Sequence, residues 1–105
     1  MIVTFEKEYL RDLYETGKTA DKKHRSQPEI VRKYKRCINI LIDASGIETL
    51  YKMNALNYEV LKGDKKGKSS IRVNTQYRIE FSVSKNGVDP VITICSIIEL
   101  SNHYN

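Results

Sequence analysis

The sequence predicts an α+β domain, with an N-terminal strand and two main helices packed on one face of a mainly antiparallel sheet. Three observations carry this prediction. The chain has 105 residues, enough for one hydrophobic core and too few for a second. Apolar residues make up 40% and charged residues 30%, the balance of a folded domain rather than of a disordered tail. The apolar residues recur at helical spacing through the first half and then, from Asn57 onward, alternate as they do in strands.

The elements follow in order. Ile2, Val3, Thr4 and Phe5 form a short β-like start. A helix is expected over residues 6–16, where Tyr9, Leu10, Leu13 and Tyr14 make one apolar stripe and Gly17 is placed to end it. Residues 18–27 carry Lys18, Lys22, Lys23 and Arg25 with little apolar content and read as a solvated loop, in which His24 is expected to be inert. Ser26 and Glu29 have capping-box spacing, and Pro28 is tolerated in a first helical turn because its missing N–H would be unpaired there. Ile30, Val31, Tyr34, Cys37, Ile38, Leu41 and Ile42 then recur through four turns of a long helix, with Arg32, Lys33, Lys35 and Arg36 on its other face. Gly46 is a natural stop, and Ser45 with Glu48 repeats the capping pattern before a short turn through Leu50.

Residues 58–62 are expected to be a strand, and the run Gly63-Asp64-Lys65-Lys66-Gly67-Lys68 a turn. Ile71 and Val73 face one way against Ser70, Arg72 and Asn74. Likewise Tyr77, Ile79, Phe81 and Val83 oppose Arg78, Glu80, Ser82 and Ser84, so these strands have one buried and one wet side. For the two apolar sets to share a face, the connection must hold an odd number of residues, such as Asn74-Thr75-Gln76. Arg72 and Arg78 then project from the same solvent-facing side of adjacent strands. Two arginines so placed repel unless an anion is shared between them. Asn86-Gly87 signals a turn, and residues 91–100, apolar on both faces, belong in the sheet interior.

Lysine and arginine number 18 against 13 acids, a formal charge of +5, which favours polyanions as partners. Cys37 and Cys95 lie far apart among apolar neighbours, as buried thiols do in a reducing compartment. The first seven residues lack the apolar run of a signal peptide, and residues 91–98 are too few to span a bilayer. A cytoplasmic protein without membrane partners is the expectation. The two histidines and two cysteines lack metal-ligand spacing, so neither zinc nor any other cofactor is expected.

The stretch Leu61-Lys62-Gly63-Asp64-Lys65-Lys66-Gly67-Lys68-Ser69-Ser70-Ile71-Arg72-Val73-Asn74, followed by Gln76-Tyr77-Arg78-Ile79 and Phe81, resembles the signature of HigB-type toxins of the RelE/ParE superfamily. Their pattern is L-x-G, a basic loop, a second Gly, S-I-R-[IV]-N, then Q-[WY]-R and F. The order of elements is also similar along nearly the whole chain. The resemblance implies ribosome-dependent cleavage of mRNA in the A site, silenced by a helix-turn-helix antitoxin of the HigA type. Many members end their last strand with Asp-Tyr-His. This chain instead reads Glu99-Leu100-Ser101-Asn102-His103-Tyr104, which leaves the acid–base assignment open.

Metal-independent RNA cleavage needs a base for the 2′-hydroxyl, positive charge for the pentavalent phosphate and an acid for the 5′-oxygen. Arg72 and Arg78 suit the charge, because guanidinium forks bind phosphate bidentately; the bland alternative pairs them with Glu80 or Glu59. Lys62, Lys65, Lys66 and Lys68 ring the turn and suit sequence-independent contacts to an RNA backbone. His103 is a candidate general acid or base, and Tyr104 a candidate for base stacking or proton transfer. Two other classes keep the same fold: a ParE-like gyrase inhibitor, and a non-catalytic module that binds RNA or antitoxin.

Overall fold

The computed structural model describes residues 1–102. Its elements are β1 (Ile2–Phe5), α1 (Glu8–Glu15), α2 (Pro28–Asp43), α3 (Ile47–Tyr51), β2 (Glu59–Val60), β3 (Lys68–Arg72), β4 (Tyr77–Lys85) and β5 (Thr93–Asn102), with single 3₁₀ turns at Lys22–His24, Asn54–Leu56 and Gly63–Lys65. The five strands form one sheet in the order β1-β5-β4-β3-β2, antiparallel except for β1 beside β5.

The helices bury most of the stripes that their sequences predict; Ile42, expected on the buried stripe of α2, is instead exposed near the end of that helix. Tyr9, Leu10 and Leu13 of α1 and Val31, Tyr34, Cys37, Ile38 and Leu41 of α2 join Ile71, Ile79, Phe81, Cys95 and Ile97 of the sheet in one apolar cluster. The Tyr34 hydroxyl, buried between the helices, donates to the Leu10 carbonyl at 2.7 Å, so its polar end is satisfied inside the core. Gly17, at φ +76°, turns the chain out of α1, a conformation that β-carbon-bearing residues resist.

The capping boxes do not form. Gln27 and Gly46 occupy the N-cap positions of α2 and α3, and neither makes a side-chain cap bond. Pro28, already fixed near helical φ, takes the first position of α2, leaving Ser26 one residue too early to cap it. Ser45 Oγ pairs instead with Thr49 Oγ1 at 3.2 Å. β2 is shorter than expected because the chain enters the Gly63–Lys65 turn soon after pairing with β3. Val91 and Ile92 precede β5 and are exposed, tied to Asn86 through the Ile92 backbone. β5 itself lies inside the sheet, between β1 and β4, as its two apolar faces require.

The loop after α1 is more structured than its composition implies. Asp21 Oδ2 meets His24 Nδ1 at 2.7 Å, and the imidazole stacks on Tyr9 with ring centroids 3.7 Å apart. His24 therefore covers the outer side of a core tyrosine.

Candidate active site

The strand register places side chains in rows on the sheet face opposite the core. One row runs Glu59, Ser70, Glu80 and Glu99 across β2, β3, β4 and β5. The neighbouring row holds Arg72, Arg78 and Ser101. The turn between β3 and β4 fixes this register. Asn74 Oδ1 accepts from the backbone N–H groups of Gln76 and Tyr77 at 2.9 and 2.7 Å, so residues 74–76 close the odd-numbered connection. The Val73 N–H donates to the Tyr77 carbonyl at 2.9 Å. Arg72 and Arg78 are thereby a non-hydrogen-bonded pair, the type in which Cα atoms approach to roughly 4.5 Å.

The face is not uniformly basic, nor wet throughout. Arg78 Nη1 donates to Glu59 Oε2 at 2.9 Å and to Ser70 Oγ at 3.5 Å, and the arginine side chain is only 18% exposed. Glu80 pairs with Lys65 at 2.5 Å rather than with an arginine. Its carboxylate is 5% exposed, and Oε1 has no hydrogen-bond partner among the described residues. Ser70 is also buried. Strand alternation identifies these side chains as off the core, but the Gly63–Lys65 turn, with Lys65 reaching back to Glu80, closes over part of their face. Burying a carboxylate is costly without a countercharge, and Lys65 supplies it.

Arg72 differs from its partner. It is exposed, and among the described residues its guanidinium has neither an ion pair nor a hydrogen bond. The site thus presents one unpaired guanidinium, one held by a carboxylate, and that carboxylate itself, Glu59, whose side chain is 44% exposed. From sequence, Glu59 is legible only as a possible ion-pair partner of the arginines. Its pairing with Ser70 across β2 and β3 sets it on the arginine face.

Of the four lysines, Lys65 is committed to Glu80, whereas Lys62 and Lys66 are exposed and make no ion pair among the described residues. Lys68 lies half-buried opposite Ser82. His103 and Tyr104 lie outside the described residues. No group of three or more His, Cys, Asp or Glu side chains among the described residues is arranged to hold a metal ion, and no helix among them is long and apolar enough to cross a membrane.

The sheet order, the helices gathered on one face and the arginine pair on the other define a RelE/ParE-type toxin fold. The structure is similar to that of a YoeB/ParE toxin from Agrobacterium tumefaciens, with a TM-score of 0.55 and 22% identity over 99% of this chain and 100% of that one. The family model for the RelE-like toxin of the type II toxin-antitoxin system HigB matches residues 3–92, and the chain belongs to this HigB-like toxin family. A search of curated proteins gives no match. Membership makes the protein a toxin and implies an antitoxin partner.

Proposed function

We propose that this toxin is a ribosome-dependent mRNA endoribonuclease, cleaving by metal-independent attack of a 2′-hydroxyl on the adjacent phosphate. The observation that carries the reading is the Arg72–Arg78 pair, with one guanidinium unpaired among the described residues and the other held by the partly exposed carboxylate of Glu59. Family membership supports it, since RelE-like toxins of this kind are generally ribonucleases.

In the proposed reaction, Glu59 takes the proton of the 2′-hydroxyl. The 2′-oxygen bonds to phosphorus, and Arg72 and Arg78 neutralise the charge that accumulates on the phosphoryl oxygens. The bond from phosphorus to the 5′-oxygen breaks, and that oxygen takes up a proton donated by His103, with Tyr104 a further candidate for stacking on a base or supporting the transfer. The products are a 2′,3′-cyclic phosphate and a free 5′-hydroxyl. Lys62, Lys66 and Lys68 hold the RNA backbone, and Lys65 contributes while anchored on Glu80. The A site of the ribosome presents the message in the cytoplasm, and the antitoxin is proposed to be a helix-turn-helix protein of the HigA type.

The test is induced expression of wild type, Arg72→Ala, Glu59→Gln and His103→Ala, with growth and transcript ends followed together. Growth arrest with new in-frame mRNA ends, lost in all three variants, is the expected result. Arrest with intact transcripts would replace this reading with the gyrase-inhibitor one, and absence of arrest would leave a binding module.

A further inference from the structure

Outside the arginine face, the structure holds a cleft of about 230 Å³ between the flank of α2 and the Asn54–Leu56 turn. Its walls are chemically divided. Cys37 and Ile40 of α2 face Met53 and Leu56 across an apolar floor, while Lys33 and Arg36 stand on the α2 side. The lining contains no acidic residue. Lys33 is loosely paired with Glu29 at 3.5 Å on the exposed helix surface, and Arg36 has no acidic partner among the described residues. The spacing explains the arrangement: Lys33, Arg36, Cys37 and Ile40 are three and four residues apart, so they form one continuous stripe along the helix. Arg72, the last residue of β3, lines the same cleft, and its carbonyl accepts from Cys37 Sγ at 3.6 Å.

We infer that this cleft is the docking site for an acidic segment of the antitoxin, whose apolar side chain enters the floor while its carboxylates pair with Lys33 and Arg36. Charge complementarity selects the occupant. The rim is cationic: Glu29 pairs only loosely with Lys33, from outside the cleft, and Arg36 has no acidic partner among the described residues, so the partner segment is anionic. The floor selects between anions. It is aliphatic and thioether-lined with no aromatic ring, which suits a Leu-like or Met-like anchor and gives a nucleobase no ring to stack on. A segment seated there lies against the end of β3, at the Arg72 backbone, on the helix side of the sheet. The inference rests on the antitoxin partner that family membership implies and does not depend on how the toxin kills.

The test is titration calorimetry of the full chain with its purified cognate antitoxin, comparing wild type with Lys33→Glu/Arg36→Glu. A control, Lys7→Glu/Arg11→Glu at the exposed N-cap and outer side of α1, changes net charge equally. The expected result is a loss of at least about tenfold in affinity for the cleft variant, with a shallower salt dependence, and a change within about twofold for the control. Met53→Lys, which puts a charge at the floor, should weaken binding by a comparable factor, with its fold verified by circular dichroism. Unchanged antitoxin affinity in Lys33→Glu/Arg36→Glu would overturn the assignment. So would loss of ribosome binding by that variant with antitoxin affinity intact, which would give the cleft to RNA. Because binding is read directly, a toxin with no nuclease activity would leave this test decisive.

Discussion

Arg72 and Arg78 are direct cross-strand partners, the last residue of β3 opposite the second residue of β4, and among the described residues only Arg78 has a carboxylate to neutralise it. Like charges directly opposite in a sheet are destabilising by roughly 0.2–1 kcal/mol. Arg72→Ala should therefore leave stability unchanged or raise it by up to about 1 kcal/mol in urea unfolding. The same substitution should lower RNA cleavage by about 10²–10³-fold, the usual effect of removing one oxyanion-stabilising group. Stability and activity moving in opposite directions is the signature of a residue kept for its charge.

Lys65 and Glu80 should behave differently. Glu80 is the buried member of the pair and already has one oxygen without a partner among the described residues. Lys65→Met would leave that carboxylate uncompensated and should cost about 1–3 kcal/mol, toward the lower end because the Lys65 side chain is 48% exposed. Replacing both, Lys65→Met with Glu80→Leu, should recover most of the loss, since apolar groups can substitute for a buried pair. A double-mutant cycle by urea unfolding reads the coupling.

Much of this was legible in the sequence. The stripes of α1 and α2 and the alternation of β3 and β4 identify the core, and the parity of the 74–76 connection by itself puts both arginines on one face. Alternation reports which side of a sheet a residue occupies, not what later closes over that side. Glu80 and Ser70 therefore looked wet, whereas the Lys65 turn covers Glu80. The capping patterns failed for a related reason: a one-residue shift in where Pro28 enters the helix decides whether Ser26 or Gln27 is the cap. The stacking of His24 on Tyr9 is a tertiary contact between a loop and a helix, and no local pattern encodes it. His103 and Tyr104 were legible only as candidates.

Both cysteines are buried, and burial pushes each thiol up to about 11. Because the thiolate is the reactive form, neither should be alkylated at an appreciable rate at pH 8 in the folded protein, while both should react fully in denaturant. Mass spectrometry after timed iodoacetamide treatment checks this. The linkage also has a sign. A raised folded-state pKa means that the native state keeps the proton longer than the unfolded chain does. Stability from these groups should be intact below about pH 9 and fall as pH rises toward about 11.

Tyr34 is fully buried, and its hydroxyl donates to the Leu10 carbonyl. Tyr34→Phe keeps the ring but leaves that carbonyl without its side-chain donor, and should cost about 0.5–1.5 kcal/mol. Tyr34→Ala removes the ring from the α1–α2 contact and should cost about 3–5 kcal/mol, read as a lowered midpoint in thermal or urea unfolding.

The central claim is that the arginine face performs phosphoryl chemistry on RNA, and the most direct measurement is the chemistry of the ends it makes. Purified toxin would be added to programmed ribosomes, and the 3′ ends of the mRNA fragments analysed for wild type and Arg72→Ala. A 2′,3′-cyclic phosphate or its 3′-phosphate hydrolysis product, abundant with wild type and nearly absent with Arg72→Ala, is the predicted result. Intact message, or fragments ending in 3′-hydroxyls that Arg72→Ala produces equally well, would contradict the account.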